Sequence, residues 1–132
     1  MSNKEINTKN EAIETEERPY TLRRLKDDDL WAVLNIISVV FPDDLASSFL
    51  DLASGQKNIR EVGAVVIVRL IKEVLKNMNK VRDDVYALLA DVSGISADEI
   101  KDMEFGTTPM MIWDIVRNEK NASFFRVVSK LS

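Results

Sequence analysis

Chemistry in this sequence would depend on carboxylates, lysines or hydroxyls, and the most closely grouped of these side chains are carboxylates. They form three short runs, 27–29, 43–44 and 83–84, and one pair four residues apart, Asp98 and Asp102. The runs suggest a cation site, but successive Asp side chains point in different directions, and none continues with the spacing and glycine of an EF-hand. Because each run stands where a helix is predicted to begin, we interpret these residues as helix caps and partners of the helix dipole.

The composition removes most other kinds of active site. The chain has no cysteine and no histidine, so thiolate nucleophiles, disulfides, and the commonest general base and metal ligand are missing. Asp98 and Asp102 share one face of a short predicted helix, where a solvated face is the simpler interpretation. We therefore predict a protein that is not an enzyme and has no catalytic residue, metal or cofactor.

Nucleic-acid binding is weakly indicated at two places. The cluster "RRLK", residues 23–26, has Tyr20 nearby but is followed at once by three Asp residues, and the net charge is −4. The phrase "SGIS" before "ADEIKDME" resembles the turn of a helix-turn-helix, although an acidic helix reads a DNA groove poorly. We predict no nucleic-acid partner, and keep a small helical DNA-binding or regulatory protein as the alternative function.

Membrane insertion and secretion are not predicted either. A membrane helix needs about 18 uncharged apolar residues, and the longest apolar run, 62–68, is followed by Arg69 and Lys72. The N-terminus has no hydrophobic stretch after its first lysine, so no signal peptide is indicated. A cytoplasmic protein without a membrane partner is the expectation.

Two regions of different composition divide the chain of 132 residues. Residues 1–18 contain five Glu against two Lys and one Arg, with too few apolar residues to repay the entropy of ordering. We predict a disordered polar tail over 1–18 and a single helical domain over 19–132.

Apolar spacing in the domain predicts an all-α fold of about six or seven short helices around a central helix. "VGAVVIVRLIKEVL", 62–75, is placed on that helix, from about Arg60 to Met78, because its apolar residues recur at helical spacing and do not alternate. The predicted buried stripe consists of Ile67, Leu70, Ile71, Val74, Leu75 and Met78. Gly63 and Ala64 are predicted to extend it backwards, where they would let another backbone approach closely. A break is expected near Asn77 to Asn79, with Asn79 as the cap of the next helix. The preceding "PYTLRRLK" is the only candidate edge strand.

Other residues in the domain are predicted to begin or end helices. Pro42 is predicted to end a first helix, and Gly55 and Gly94 are predicted to end two later ones. Ser96 with Glu99 is predicted to form a capping box. Thr108 is predicted to cap a further helix whose first residue is Pro109. Trp113 and Phe124 are predicted in the core.

Some apolar residues lie off the main stripes of their helices and are predicted to contact a partner. Val62 and Val65 share an outer face with Arg69 and Lys76. Aromatic side chains about a quarter turn off a stripe often pack at interfaces. The predicted partner-binding residues are Val62, Val65, Val66, Trp31 and Phe125.

Charge is unevenly ordered along the chain. Residues 27–56 contain six Asp and no Lys or Arg, whereas residues 57–82 contain seven Lys or Arg and two Glu. One interpretation is that acidic and basic helices pack together within one copy. The other is head-to-tail self-association into a ring or spiral, in which the acidic patch of one copy meets the basic patch of the next. The residues predicted for it are Asp43, Asp44, Asp51, Arg69, Lys72 and Lys76.

A family resemblance covers the chain from about Arg18 to its end. The phrases "RPYTLRRLKDDDLWAVLNIIS", "EVGAVVIVRLIKEVLKNMNKVRDDVYALLADVSGISADEI" and "FFRVVSKL", in this order, resemble the tail assembly chaperones of long-tailed (siphovirus-type) phages or prophages of Gram-positive bacteria. The resemblance lies in an overall pattern of short phrases, without a catalytic signature.

The resemblance implies a small, helical, non-enzymatic protein of the infected host cytoplasm that is not expected in the mature virion. It would bind the tape measure protein and keep that long helical chain soluble until tail-tube subunits polymerise around it. Self-association into a homo-oligomer is also implied, as is a longer version of the same protein made by ribosomal frameshifting.

Overall fold

Every regular element between residues 18 and 131, which the computed structural model describes, is helical. The all-α prediction is therefore confirmed for this part of the chain, while the predicted tail lies outside it except for Arg18. Between residues 18 and 131, eight α-helices follow one another with two 3₁₀ turns, Met78–Val81 and Glu119–Asn121. The helices are α1 (Asp29–Val40), α2 (Asp43–Ala53), α3 (Ile59–Val62), α4 (Ala64–Asn77), α5 (Arg82–Ser93), α6 (Ala97–Lys101), α7 (Thr107–Arg117) and α8 (Ala122–Leu131).

The segment before α1 is extended but is not an edge strand. A single backbone hydrogen bond joins it to α5, from the Arg23 N–H to the Val92 carbonyl at 3.0 Å. Tyr20 and Leu25 are buried in the core. The segment is held by side chains and by this one bond, so the edge-strand prediction is wrong.

The core lies where α1, α2, α5, α7 and α8 meet. α2 packs along α8, and α1 packs against α4, α5 and the turn between them. The most completely buried large side chains are Leu45, Leu50, Leu89, Met111 and Val128. Burying a side chain of this size stabilises the fold by about 1.5 to 3 kcal/mol.

The predicted central helix is broken near its start. α3 ends at Val62 and α4 begins at Ala64, because Gly63 between them has φ 95° and ψ 149°. This conformation is accessible essentially only to glycine. Asn58 caps α3, accepting from the Glu61 N–H while the Glu61 carboxylate accepts from the Asn58 N–H. A Cβ at Gly63 would meet nothing within 4 Å, so the prediction that Gly63 allows close backbone packing is wrong.

The break after α4 is confirmed, but its physical cause is different from the one predicted. α4 ends at Asn77 and α5 begins at Arg82, with the 3₁₀ turn between them. No side chain caps the start of α5, so Asn79 is not a cap. Asn77 is buried, and its amide donates to the Val40 carbonyl at 2.9 Å. That bond joins the end of α4 to the end of α1.

Other predicted helix ends are partly confirmed. Gly55 and Gly94 have positive φ just after their helices, and the Ser96 hydroxyl accepts from the Glu99 N–H at 3.2 Å. α7 begins at Thr107 after Gly106, one residue earlier than a Thr108 cap requires. Neither Asp28 nor Asp43 makes a side-chain cap.

Several core assignments also need correction. Ile71 and Leu75 of the predicted buried stripe are 54% and 79% exposed, and Trp113 is 55% exposed. Phe124 is partly buried and packs against the core. Phe125 is only 3% exposed. α4 is thus an outer helix of the fold, with one side on the core and one side in solvent.

Candidate partner-binding surface

Helix α4 leaves a row of large apolar side chains in solvent. Val65 and Leu75 are 76% and 79% exposed, and Val68 and Ile71 are each 54% exposed. Because these residues are three or four positions apart, they lie along one face of the helix. We refer to this face, formed by Val65, Val68, Ile71 and Leu75, as the apolar stripe.

A second exposed face of α4 is basic. Arg69, Lys72 and Lys76 are also spaced by three and four residues, and all three are exposed. At about 100° per residue, they lie beside Val65 and roughly a quarter turn round the helix from Val68, Ile71 and Leu75. We call Arg69, Lys72 and Lys76 the basic edge.

The core contacts of α4 determine which faces point outward. Leu70 and Asn77 are each 6% exposed, and Val66, Ile67 and Val74 are half-buried against the core. The Asn77 amide donates both to the Val40 carbonyl of α1 and to the Glu73 carboxylate, the latter at 2.7 Å. These contacts fix the rotation of α4 about its axis. The helix has apolar residues round more than half of its circumference, and its neighbours cover only part of that arc.

The structure separates the five predicted partner-binding residues. Val65 lies in the apolar stripe, and Trp31 on α1 is 69% exposed. Val62 is half-buried at the end of α3, and Val66 is half-buried on the core side of α4. Phe125 is 3% exposed and packs edge-on against Phe124, with ring centroids 5.6 Å apart. Phe125 is therefore a core residue, and its assignment to a partner surface is wrong.

Three members of the apolar stripe, Val68, Ile71 and Leu75, are not among the residues predicted to bind a partner. A signal was present, because an apolar arc wider than half the helix exceeds the usual single core-facing stripe of about 100°. That excess marks a helix that is either enclosed or partly uncovered. Because Val68, Ile71 and Leu75 are exposed, α4 is partly uncovered.

The residues predicted for self-association make ion pairs within the chain at two points. Arg69 lies 3.2 Å from the Asp44 carboxylate, and Asp51 lies 3.6 Å from Lys57. Arg69 and Asp44 both have more than half of their side chains exposed, so the pair is worth only about 0 to 1 kcal/mol. Asp43, Lys72 and Lys76 are exposed, and they form no ion pair with any residue in 18–131.

An apolar cavity of about 150 Å³ lies in the core, lined mainly by side chains of α1, α5 and α7. Val74 of α4 and Met78 of the following turn line it, as do Leu88 of α5 and Ile112 and Val116 of α7. All of its lining residues are apolar. These five are only half-buried, so the cavity reaches the surface between helices.

Asp114 on α7 anchors the start of the described chain. Its carboxylate accepts from the Arg18 guanidinium at 2.8 Å and from the Tyr20 hydroxyl at 2.6 Å. Burial alone would raise the pKa of Asp114, but the hydrogen bonds from Arg18 and Tyr20 outweigh it and lower that pKa. Burial and the bond to Asp114 raise the pKa of Tyr20. The carboxylate is thus ionised and engaged, as a structural group would be.

Asp29, the first residue of α1, also anchors the extended N-terminal segment. It is 4% exposed, and its carboxylate accepts from the Arg23 guanidinium at 2.7 Å and from the Lys26 N–H at 2.8 Å. Burial opposes ionisation, yet the Arg23 and Lys26 hydrogen bonds hold the pKa of Asp29 below its usual value. This acid of the 27–29 run is therefore a buried anchor for the extended segment.

Other kinds of site have few candidate residues between 18 and 131. No group of three or more acidic side chains in that range is placed to hold a metal ion. None of its helices combines the length and apolar character needed to cross a membrane. The helix predicted after the "SGIS" turn, α6, contains five residues.

Neither a known protein family, a curated protein nor a solved structure matches this chain. Function is therefore inferred from the surface of the molecule and from the resemblance in its sequence.

Proposed function

We propose that this protein is a non-enzymatic binding protein that keeps an apolar helical client soluble. Its proposed identity is a tail assembly chaperone of a long-tailed phage or prophage of Gram-positive bacteria, and its client is the tape measure protein. It acts in the host cytoplasm and leaves before the virion is complete. The observation that supports this proposal is the exposed apolar stripe of α4.

The stripe has the spacing needed to bind another helix. Helix-binding surfaces use apolar anchors at positions such as i, i+3, i+4 and i+7, and the stripe spans Val65 to Leu75, about 15 Å along the helix axis. Such a short contact is weak when made once. Many copies along one long client bind strongly together and still release one at a time, which suits a chaperone whose client must later be handed over.

The basic edge gives the site a preferred client chemistry. Lys72 and Lys76 are exposed beside the stripe and form no ion pair within 18–131. Charges at the rim of an interface mainly increase the association rate and select partners of opposite charge. The proposed client segment is therefore an amphipathic helix with carboxylates beside its apolar face.

Co-expression with a fragment of a tape measure protein tests the proposal. The wild-type chain should keep the fragment in the soluble fraction, and the double variant Ile71→Ser, Leu75→Ser should lose most of that effect. The matched control is Val127→Ser, Leu131→Ser on α8, where the side chains are 53% and 59% exposed. If the two double variants solubilise the fragment equally well, the apolar stripe is not the client site.

We also propose that copies of the chain associate head to tail. The exposed Asp43 of one copy would meet Lys72 and Lys76 of the next, since Asp44 and Asp51 already have partners within their own chain. Light scattering should show that Asp43→Lys and Lys72→Glu, Lys76→Glu are each monomeric alone and associate when mixed. An unchanged mass for each separate variant would contradict this contact.

A longer, frameshifted form of the chain is the remaining proposed partner. Because it would share the described domain, it should join the same oligomers. Intact-mass analysis of the complex isolated from phage-producing cells would detect it.

A further inference from the structure

Trp31 is a predicted partner-binding residue that lies outside the apolar stripe. It is 69% exposed on α1. Other exposed side chains follow it after four, seven and eight positions, a spacing that places them on one outward side of the helix. We call this row the α1 face, formed by Trp31, Asn35, Ser38 and Val39. Tryptophan is among the commonest anchors of protein interfaces, so the α1 face is a candidate contact surface.

The α1 face has the chemistry that the apolar stripe and the basic edge require of a client. Exposed acids lie at both of its ends, Asp27 and Asp28 before α1 and Asp43 just after it. A further exposed acid, Asp84 of α5, accepts from the Asn35 amide at 3.0 Å. The α1 face thus belongs to a helix that presents apolar side chains beside carboxylates.

The client and the next copy of the chain would meet the same side chains of α4. Lys72 and Lys76 are expected to attract the acidic edge of the client, and the same two lysines are expected to meet Asp43 of the next copy. An α-helix with its side chains is about 10 to 12 Å across, and the apolar stripe is a single row. One stripe therefore accommodates one helix at a time, and the two partners exclude each other.

We propose that the α1 face of one copy occupies the apolar stripe of the next copy until the client displaces it. The inference rests on the proposed function, since it assumes both head-to-tail association and a client helix on the stripe. Trp31 precedes Asp43 by twelve residues, and Val65 precedes Lys76 by eleven. When Asp43 lies beside Lys76, parallel packing of the two helices places Trp31 at the start of the stripe.

The proposed contact pairs opposite charges and joins two different surfaces. Opposite charges at the rim of an interface increase the association rate, and the acids of the α1 face meet the basic edge here. Because the two surfaces differ, the contact can continue from copy to copy as a ring or spiral. A single contact is short and therefore weak, so a client helix can replace it. Each client segment that binds then frees one copy from its neighbour.

Disulfide formation between two single-cysteine variants tests the contact, because the chain has no cysteine of its own. Asn35 lies one turn after Trp31, which places it opposite Val68 of the next copy. Leu75 is the control position, since it lies about 10 Å further along the same stripe. Asn35→Cys should form a mixed disulfide with Val68→Cys at least about tenfold faster than with Leu75→Cys, because the two Cα atoms must come within about 7 Å. Equal rates, or a faster reaction with Leu75→Cys, overturn the proposed packing.

Competition tests the displacement. The probe is a synthetic amphipathic helix that has Glu beside its apolar face, and fluorescence anisotropy measures its binding. At about ten times its dissociation constant, it fills roughly nine-tenths of the stripes and should slow the reaction of Asn35→Cys with Val68→Cys at least about fivefold. Binding that leaves the reaction rate unchanged overturns the shared site and leaves the client proposal intact. A probe that does not bind at all counts against both.

Trp31→Ser separates the two uses of α4. It should raise the dissociation constant of self-association at least about tenfold without changing the affinity for the synthetic helix, whereas Ile71→Ser, Leu75→Ser should weaken both. The matched control is Trp113→Ser on α7, where the tryptophan is 55% exposed, and it should change neither. Unchanged self-association in Trp31→Ser overturns the role of the α1 face, even if the charge-reversed variants still associate when mixed.

Discussion

Asn121 is the buried polar residue whose replacement should affect the fold most directly. It is 1% exposed, and it lies in the turn before α8. Its side-chain oxygen accepts from the Leu25 N–H at 2.8 Å, and its side-chain nitrogen donates to the Ile115 carbonyl at 2.9 Å. One amide thus joins the extended N-terminal segment, the end of α7 and the start of α8.

The expected cost of Asn121→Ala follows from these two bonds. The substitution leaves a buried N–H and a buried carbonyl without partners, and each such group costs about 1 to 3 kcal/mol. Partial entry of water into the space left by the side chain would reduce the sum. We therefore expect a loss of about 2 to 4 kcal/mol in the free energy of unfolding, and a melting temperature lower by roughly 10 °C.

Urea unfolding followed by circular dichroism measures this loss. The matched control is Asn35→Ala, which removes an amide that donates to Asp84 at 3.0 Å on the exposed surface. That variant should change the free energy of unfolding by no more than about 0.5 kcal/mol. If Asn121→Ala costs as little as the control, the two buried bonds do not hold the segments together and the reasoning is refuted.

Three further changes test the anchor, the bend and the exposed helix face. Asp114→Asn should lower the free energy of unfolding at neutral pH, because it removes the carboxylate that Arg18 contacts. The pKa of Asp114 is lowered in the folded state. The loss of stability relative to wild type should therefore be complete above about pH 4 and should disappear as the pH falls below the folded pKa. A difference that is constant down to pH 2 would contradict this. Gly63→Ala should cost about 1 to 3 kcal/mol through its positive φ, although the space around it is empty, and an unchanged melting temperature would exclude strain there. Leu75→Ala should cost roughly 0.5 kcal/mol or less, against about 2 to 5 kcal/mol for the buried Leu70→Ala; similar costs would show that the stripe is covered in solution.

The helical character and most helix ends were predictable because their signals are local. Gly94 is a stop because a positive φ suits glycine after a helix, and Ser96 caps the following helix through its own side chain. Both depend on residues within one turn. Gly63 was misplaced because a glycine in an apolar run fits both a helix interior and a bend. Only the backbone conformation distinguishes the two.

Exposure was harder to predict because it depends on distant elements. Apolar spacing showed that Ile71 and Leu75 share a half-cylinder with Leu70, but periodicity does not show how much of that half the neighbours cover. Phe125 was misassigned because, in a helix as short as α8, a shift of one residue exchanges the core and surface positions. Of the partner surface, Val65 was predicted. The buried amide of Asn121 resembles any surface Asn in the sequence.

The position of the basic edge beside the apolar stripe affects how the protein behaves at high concentration. If the apolar stripes of two copies packed together with the helices antiparallel, the basic edges of both copies would lie on the same side of the pair. The positive charges of Arg69, Lys72 and Lys76 would then be close to those of the other copy. Like charges at such short range repel and raise the free energy of that pairing. This repulsion disfavours pairing of two copies through their apolar stripes. We expect raised salt, which screens this repulsion, to promote stripe-to-stripe aggregation, and variants that remove the lysines to aggregate at lower protein concentrations.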